Sequence, residues 1–271
     1  MFFYLETKCK CNKKGANYDE ETIFSNAFIH DTKNFSLFLL PDINKNAMVH
    51  IENYSSILSQ LPSHVQLIAV SKTKPIQDIE MLYRQGHRRF GENKAQELKE
   101  KQQQLPSDIE WHFIGHLQSN KIKYIAPFVS LIHSIDSLKL LEDVNKYAFK
   151  NNRVIPCLLQ FHIAEEESKF GFDLHECEEM LQSENFSRLK NIVIRGVMGM
   201  ATFTEQTAQI RAEFRQLHII FQRIKEQFFK DSLEFKEISM GMTDDFLIAI
   251  EEGSTMVRIG SALFGARNYE M

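Results

Sequence analysis

A chain of 271 residues, 43% hydrophobic and 25% charged, has the composition of an ordinary soluble globular protein. Its formal net charge is −4 with acids and bases interspersed, which argues against a general nucleic-acid or anionic-membrane binder. No run of about 18 apolar residues occurs, so a membrane span is not expected.

Residues 1–45 show no sustained period. They carry Lys8-Cys9-Lys10-Cys11-Asn12-Lys13-Lys14, then an acidic Asp19-Glu20-Glu21. The apolar patch Phe35 to Leu40 stops at Pro41, too short and too late for a secretory core, and the acids speak against a transit peptide. This segment reads as a poorly ordered appendage to a domain over 46–271. Cys9 and Cys11 have no partner C-x-x-C or nearby histidine pair. The wide spacing of the remaining cysteines, Cys157 and Cys177, suits a reducing, cytoplasmic setting.

From Asn46 the chain becomes rhythmic. A helix is expected over 46–61, and then apolar strand-length runs alternate with helical stretches. Strands are predicted at 65–70, 88–91, 110–114, 130–135, 155–163, 191–200, 235–240 and 256–260. The clearest helices are 75–85, 138–150, 205–230 and 246–252. Pro75 in a first turn, with Gly86 and Gly253 just past helix ends, supplies the punctuation. Eight strands separated by helices without long linkers predict an α/β protein, a closed (β/α)8 TIM barrel. An open doubly wound sheet is the alternative, but no G-x-G-x-x-G follows the first strand.

The first strand delivers Lys72 to its carboxyl end in Ala69-Val70-Ser71-Lys72-Thr73-Lys74-Pro75. An amine there can act as a nucleophile toward an aldehyde, or it can snorkel into water. After the seventh strand comes Ser239-Met240-Gly241-Met242-Thr243-Asp244-Asp245, and the eighth runs through Arg258-Ile259-Gly260-Ser261. In such barrels these two loops commonly cradle phosphate, so Thr243, Gly260 and Ser261 are candidate donors. Capping by Thr243 or Asp244, with Gly260 as a tight turn, is the plainer alternative. A lysine for an aldehyde and a cradle for a phosphate together describe pyridoxal 5′-phosphate. Arg258 shares a strand face with Gly260 and so points inward. There it faces either the pyridine nitrogen or a carboxylate in an internal salt bridge. His112 and His116 stand four apart but straddle a strand end, a poor arrangement for a metal.

These blocks, with Phe90-Gly91-Glu92-Asn93, Trp111 to Lys121, Ser168-Lys169-Phe170-Gly171 and Gly253 to Ser261, resemble the YggS/PROSC family of pyridoxal-phosphate-binding (pyridoxal phosphate homeostasis) proteins. The resemblance covers about residues 46–269. It implies a barrel like the N-terminal domain of alanine racemase (fold type III), without that enzyme's C-terminal β-domain. It implies the cofactor held as an aldimine on Lys72, its phosphate on Thr243, Gly260 and Ser261, its pyridine nitrogen facing Arg258, and Asn93 bordering it. Two departures stand out: Thr243 where many relatives have serine, and His162 where asparagine is commoner.

The resemblance points to a non-catalytic carrier in vitamin B6 homeostasis, serving amino-acid and keto-acid balance, with apo pyridoxal-phosphate enzymes as recipients. The alternatives are an amino-acid racemase or other carbanion enzyme on the same barrel, and a barrel for a different phosphate ester. A racemase needs two bases flanking the ring, of which Lys72 could supply one.

Overall fold

The computed structural model describes residues 49–165 and 170–265, so the expected appendage over 1–45 lies outside the described residues, as do Ser168 and Lys169. Among the described residues the elements run α1 (Ile51–Gln60), β1 (Gln66–Val70), α2 (Ile76–Arg84), β2 (Arg89–Glu92), α3 (Ala95–Gln102), β3 (Glu110–Phe113), a short 3₁₀ turn (Ser119–Lys121), α4 (Ile122–Ile125), β4 (Leu131–Ile135) and α5 (Leu138–Lys150). They continue with β5 (Ile155–Gln160), α6 (Leu174–Gln182), α7 (Glu184–Ser187), β6 (Ile192–Met198), α8 (Thr207–Phe228), β7 (Glu237–Ser239), α9 (Phe246–Glu251), β8 (Met256–Ile259) and α10 (Ser261–Phe264).

The eight strands are parallel and close into a barrel in chain order, β1 pairing β8 with Ile68 opposite Arg258. The predicted (β/α)8 architecture is therefore the observed one. Parallel strands in such a barrel are covered on both faces, which is why β1, β4 and β5 read as nearly unbroken apolar runs. Side chains of alternate parity separate into two cores. Ile68, Leu131, Leu158, Met198 and Met256 fill the barrel interior, and a larger cluster packs strands against helices. In α8, Ile210, Phe214, Leu217, Phe221 and Ile224 recur at helical spacing and are buried, while Phe221 and Phe229 each stack on Phe235.

Two strands end sooner than their apolar runs suggest. After Gln160 the chain leaves the barrel ladder for a local pairing. His162 N–H donates to the Phe172 carbonyl at 3.1 Å, and Phe172 N–H to the Gln160 carbonyl at 2.8 Å. After Met198, the Gly199 N–H still reaches the Ser239 carbonyl at 3.1 Å, but the chain then turns across the barrel mouth. The first helix starts at Ile51 rather than 46, where His50 N–H is tied to the Leu263 carbonyl at 2.8 Å.

Candidate functional site

Lys72 lies two residues past β1, half-buried, in a turn whose backbone is tied down on both sides. Ser71 N–H donates to the Gly91 carbonyl at 3.0 Å, and Lys74 N–H to the Ser71 carbonyl at 3.0 Å. Thr73 adopts φ of 63°, a left-handed conformation that costs a non-glycine residue about 1–2 kcal/mol.

That strain is held by a buried ionic knot. Lys101 of α3 donates from Nζ to the Ser71 carbonyl at 2.8 Å, to Glu92 Oε1 at 2.8 Å and to Glu97 Oε1 at 2.7 Å. Ser71 Oγ donates to Glu92 Oε1 at 2.6 Å, and Thr73 N–H to Glu97 Oε1 at 2.6 Å. All three ammonium protons are used, and the residues on either side of Lys72 are both clamped. Burial nevertheless pushes the Glu92 carboxyl up to about 7, against the pull of the Lys101 charge. Lys101→Met is expected to cost about 1–3 kcal/mol in urea unfolding, because it removes the shared donor of Glu92, Glu97 and the Ser71 carbonyl. Adding Glu92→Gln should recover part of that loss. A loss under about 1 kcal/mol would show that the knot does not hold the turn.

On the opposite wall, β7 runs into a turn at Gly241, whose φ of 93° brings the backbone so close to α9 that a Cβ would lie 2.6 Å from that of Ala249. The N-cap position of α9 belongs to Asp245, neither Thr243 nor Asp244 as the capping alternative had it. The Asp245 carboxylate accepts the Met242 N–H, and burial raises its pKa. Thr243 is thereby left for another partner, and its hydroxyl accepts from Ser261 Oγ at 3.1 Å. Gly260 lies against β1, where a Cβ would stand 3.2 Å from the Val70 carbonyl oxygen. Two hydroxyls therefore meet beside the opening turn of α10, whose first N–H groups have no intrahelical partner.

Arg258 points inward and is 5% exposed. Its guanidinium donates to Ser239 Oγ at 2.6 Å and to the Gly199 carbonyl at 3.1 Å, so its hydrogen bonds go to a hydroxyl and a carbonyl. The internal salt bridge weighed as an alternative is not among these contacts. Burial pushes the guanidinium down to about 10, with the nearby Asp245 charge opposing, so it remains a cation near neutrality.

The structure brings all six sequence-derived residues, Lys72, Asn93, Thr243, Arg258, Gly260 and Ser261, to the lining of one cavity of about 270 Å³ at the carboxyl ends of the strands. Its remaining walls include Val70, Ile114, Met200 and Ala201. The Asn93 side-chain oxygen is buried with no protein hydrogen-bond partner, an acceptor left for something that enters. An amine, a pair of hydroxyls and a fixed cation around an apolar wall suit a small, flat, phosphorylated aldehyde. His162 is not part of this lining.

Several contributors escaped the sequence reading. Lys101 and Glu97 sit in a polar helix where nothing distinguishes them from solvated neighbours. Glu213, in α8, holds the loop beside the cavity by accepting Thr202 N–H and Thr202 Oγ, each at 2.7 Å. His133 did carry a signal: a polar residue inside the apolar β4 run needs a partner. His112 meets it within the barrel at 2.9 Å, whereas His116 stands by Asp136 at 3.3 Å with its ring 4.5 Å from that of Phe170. The two histidines spaced four apart thus face different surroundings. Among the described residues no group of three or more histidine, cysteine or acidic side chains is placed to hold a metal ion. Among them, too, no helix is long and apolar enough to cross a membrane.

Comparison with known proteins agrees with the barrel fold. The family described as "Alanine racemase, N-terminal domain" matches residues 43–268. A pyridoxal phosphate homeostasis protein of Aquifex aeolicus is 38% identical over 205 residues, covering 75% of this chain and 88% of the relative. One from Haemophilus influenzae is 41% identical over 209 residues, covering 76% and 86%. The structure of PipY from Synechococcus elongatus with PLP bound superposes with a TM-score of 0.72 at 37% identity, over 79% of this chain and 99% of that one. Alanine racemase of Bartonella henselae gives a TM-score of 0.62 at 17% identity, covering 80% of this chain and 58% of the racemase, a likeness of fold alone.

Proposed function

The chain belongs to the family of the alanine racemase N-terminal domain and, within it, to the pyridoxal phosphate homeostasis proteins, and from that premise we propose that its cavity holds pyridoxal 5′-phosphate. The observation that carries this reading is the convergence of an amine, a hydroxyl pair and a buried guanidinium on one cavity. When bound, the cofactor supplies an aldehyde able to condense with an amine and a ring able to accept electron density. The Lys72 amine would be the group that meets the aldehyde. Thr243 and Ser261 hydroxyls, with the backbone at Gly260, would hold the phosphate. Arg258, a donor only, would lie toward the pyridine nitrogen and disfavour its protonation, which would make the ring a weak electron sink. Asn93 would border the ring.

A poor electron sink suits storage better than turnover. The protein is therefore a carrier that sequesters a reactive aldehyde and releases it to apo-enzymes that need it, so contributing to vitamin B6 balance. A cytoplasmic setting is supported by Cys157 and Cys177, which are free and buried, with burial pushing both thiols up, Cys177 to about 12.

The test is an absorption titration of the purified protein with pyridoxal phosphate, followed by borohydride reduction and peptide mapping. A chromophore trapped on the Lys72 peptide is the expected result; a protein that refuses the cofactor would overturn the reading. Arg258→Glu should permit protonation of the ring nitrogen and shift the absorption of the bound cofactor. An unchanged spectrum and affinity would count against the assigned contact.

A further inference from the structure

Behind Arg258 lies a line of buried polar side chains, Ser239, His133 and His112, to which the cofactor contacts assign no role. Arg258 Nη1 lies 2.6 Å from Ser239 Oγ, which lies 2.9 Å from His133 Nδ1, and His133 Nε2 lies 2.9 Å from His112 Nδ1. All four side chains are 5% exposed or less and come from four different strands. A guanidinium can only donate, and if the Ser239 proton goes to His133 the line runs in one direction. Ser239 must accept from Arg258, so its own proton is free to go to His133 Nδ1. His133 then carries its proton on Nε2 and donates to His112 Nδ1, and His112 carries its proton on Nε2.

We infer that His133 and His112, acting through Ser239, are positioning residues that set the orientation of Arg258 toward the ring-binding face of the cavity. The inference rests on the proposed cofactor site and deepens it. Without His133 the Ser239 hydroxyl can rotate its proton toward Arg258, where it repels the guanidinium instead of accepting from it. The Gly199 carbonyl, 3.1 Å from Nη2, would then be the one remaining anchor of the two. Outer-layer partners of this kind orient the group that touches the ligand, and their loss typically weakens binding about 10–100-fold in metal sites.

The line itself can be read on the full-length protein without cofactor, by long-range proton–nitrogen correlation of ¹⁵N-histidine-labelled material near neutral pH. Neutral rings protonated on Nε2 at both His112 and His133 are expected. A proton on His133 Nδ1, as the other tautomer or as imidazolium, would overturn the directed line. Ser239→Ala and His133→Phe should each bind pyridoxal phosphate about tenfold more weakly. Each should also move the pyridine-nitrogen signal of ¹⁵N-labelled cofactor, which a purely structural loss would leave in place. His133→Gln, able to accept and donate at once, should restore most of both. If His133→Phe does not fold, Ser239→Ala and the tautomers decide alone. Wild-type binding with unaltered affinity and nitrogen signal in Ser239→Ala would sink the inference and leave the functional reading standing. A wild-type protein that takes up no pyridoxal phosphate would sink the functional reading, while the tautomers still judge the line.

Discussion

Lys72→Ala is expected to abolish the borohydride-trapped adduct and to leave the barrel folded. The side chain is half-buried in a turn whose Ser71 and Thr73 are tied to Glu92, Glu97 and Lys101. Stability should therefore change by no more than about 1 kcal/mol. Affinity should fall roughly a hundredfold, about 2.7 kcal/mol, since phosphate and ring contacts remain while covalent capture is lost. Equilibrium binding by dialysis and mass mapping after reduction give the two numbers. Retention of a trapped adduct would move the chemistry to another lysine. Lys74 is the obvious rival because it lines the same cavity, although its Nζ donates to the Phe264 carbonyl at 2.6 Å.

Mild acid is expected to destabilise the fold steeply. His87, His112 and His133 are buried, and burial lowers all three: His87 to about 4, His112 to about 3, and His133 well below its ordinary value. A histidine with a depressed folded pKa is neutral in the native state, while the unfolded chain takes up its proton near 6.5. The stability it contributes is whole above pH 6.5 and is lost as pH falls toward the folded value. Each such group gives a slope of about 1.4 kcal/mol per pH unit. Glu92, raised to about 7, works the other way. Its native carboxyl is already protonated below that value, so stability is gained as pH falls from about 7 toward 4.5. Three histidines against one carboxyl leave a net loss of about 3 kcal/mol per pH unit between 6.5 and 4.5. Urea unfolding at pH 7, 6 and 5 measures it. A midpoint that stays level or rises on acidification would mean that the buried rings are already charged, or hydrated, in the native protein.

The same buried histidines show where sequence reasoning stopped. Lys72 was legible because an apolar run of strand length ended on it. Thr243, Gly260 and Ser261 were legible because glycine and hydroxyl residues followed the last two strands, where barrels of this class bind phosphate. Arg258 could be aimed inward by strand parity alone. Asn93 came from the family blocks. By contrast, Lys101 lies in Ala95–Gln102, a helix so polar that its sequence reads as solvated surface. Only the placement of α3 against the turn after β1 makes that lysine a buried clamp. Asp245 rather than its neighbours holds the N-cap position of α9, its carboxylate turned back to the Met242 N–H.

Local chemistry in the chain determined the eight-strand alternation, the place of Lys72 at a strand end and the glycine-rich loops, since hydrophobic period, turn residues and strand parity are properties of short segments. Partnership was decided by the tertiary structure alone. Lys101 with the Ser71 carbonyl, and Arg258 through Ser239 to His133 and His112, link strands and helices far apart in sequence. Closing the barrel is what brings them within hydrogen-bond distance in a medium where an unmatched polar group is costly.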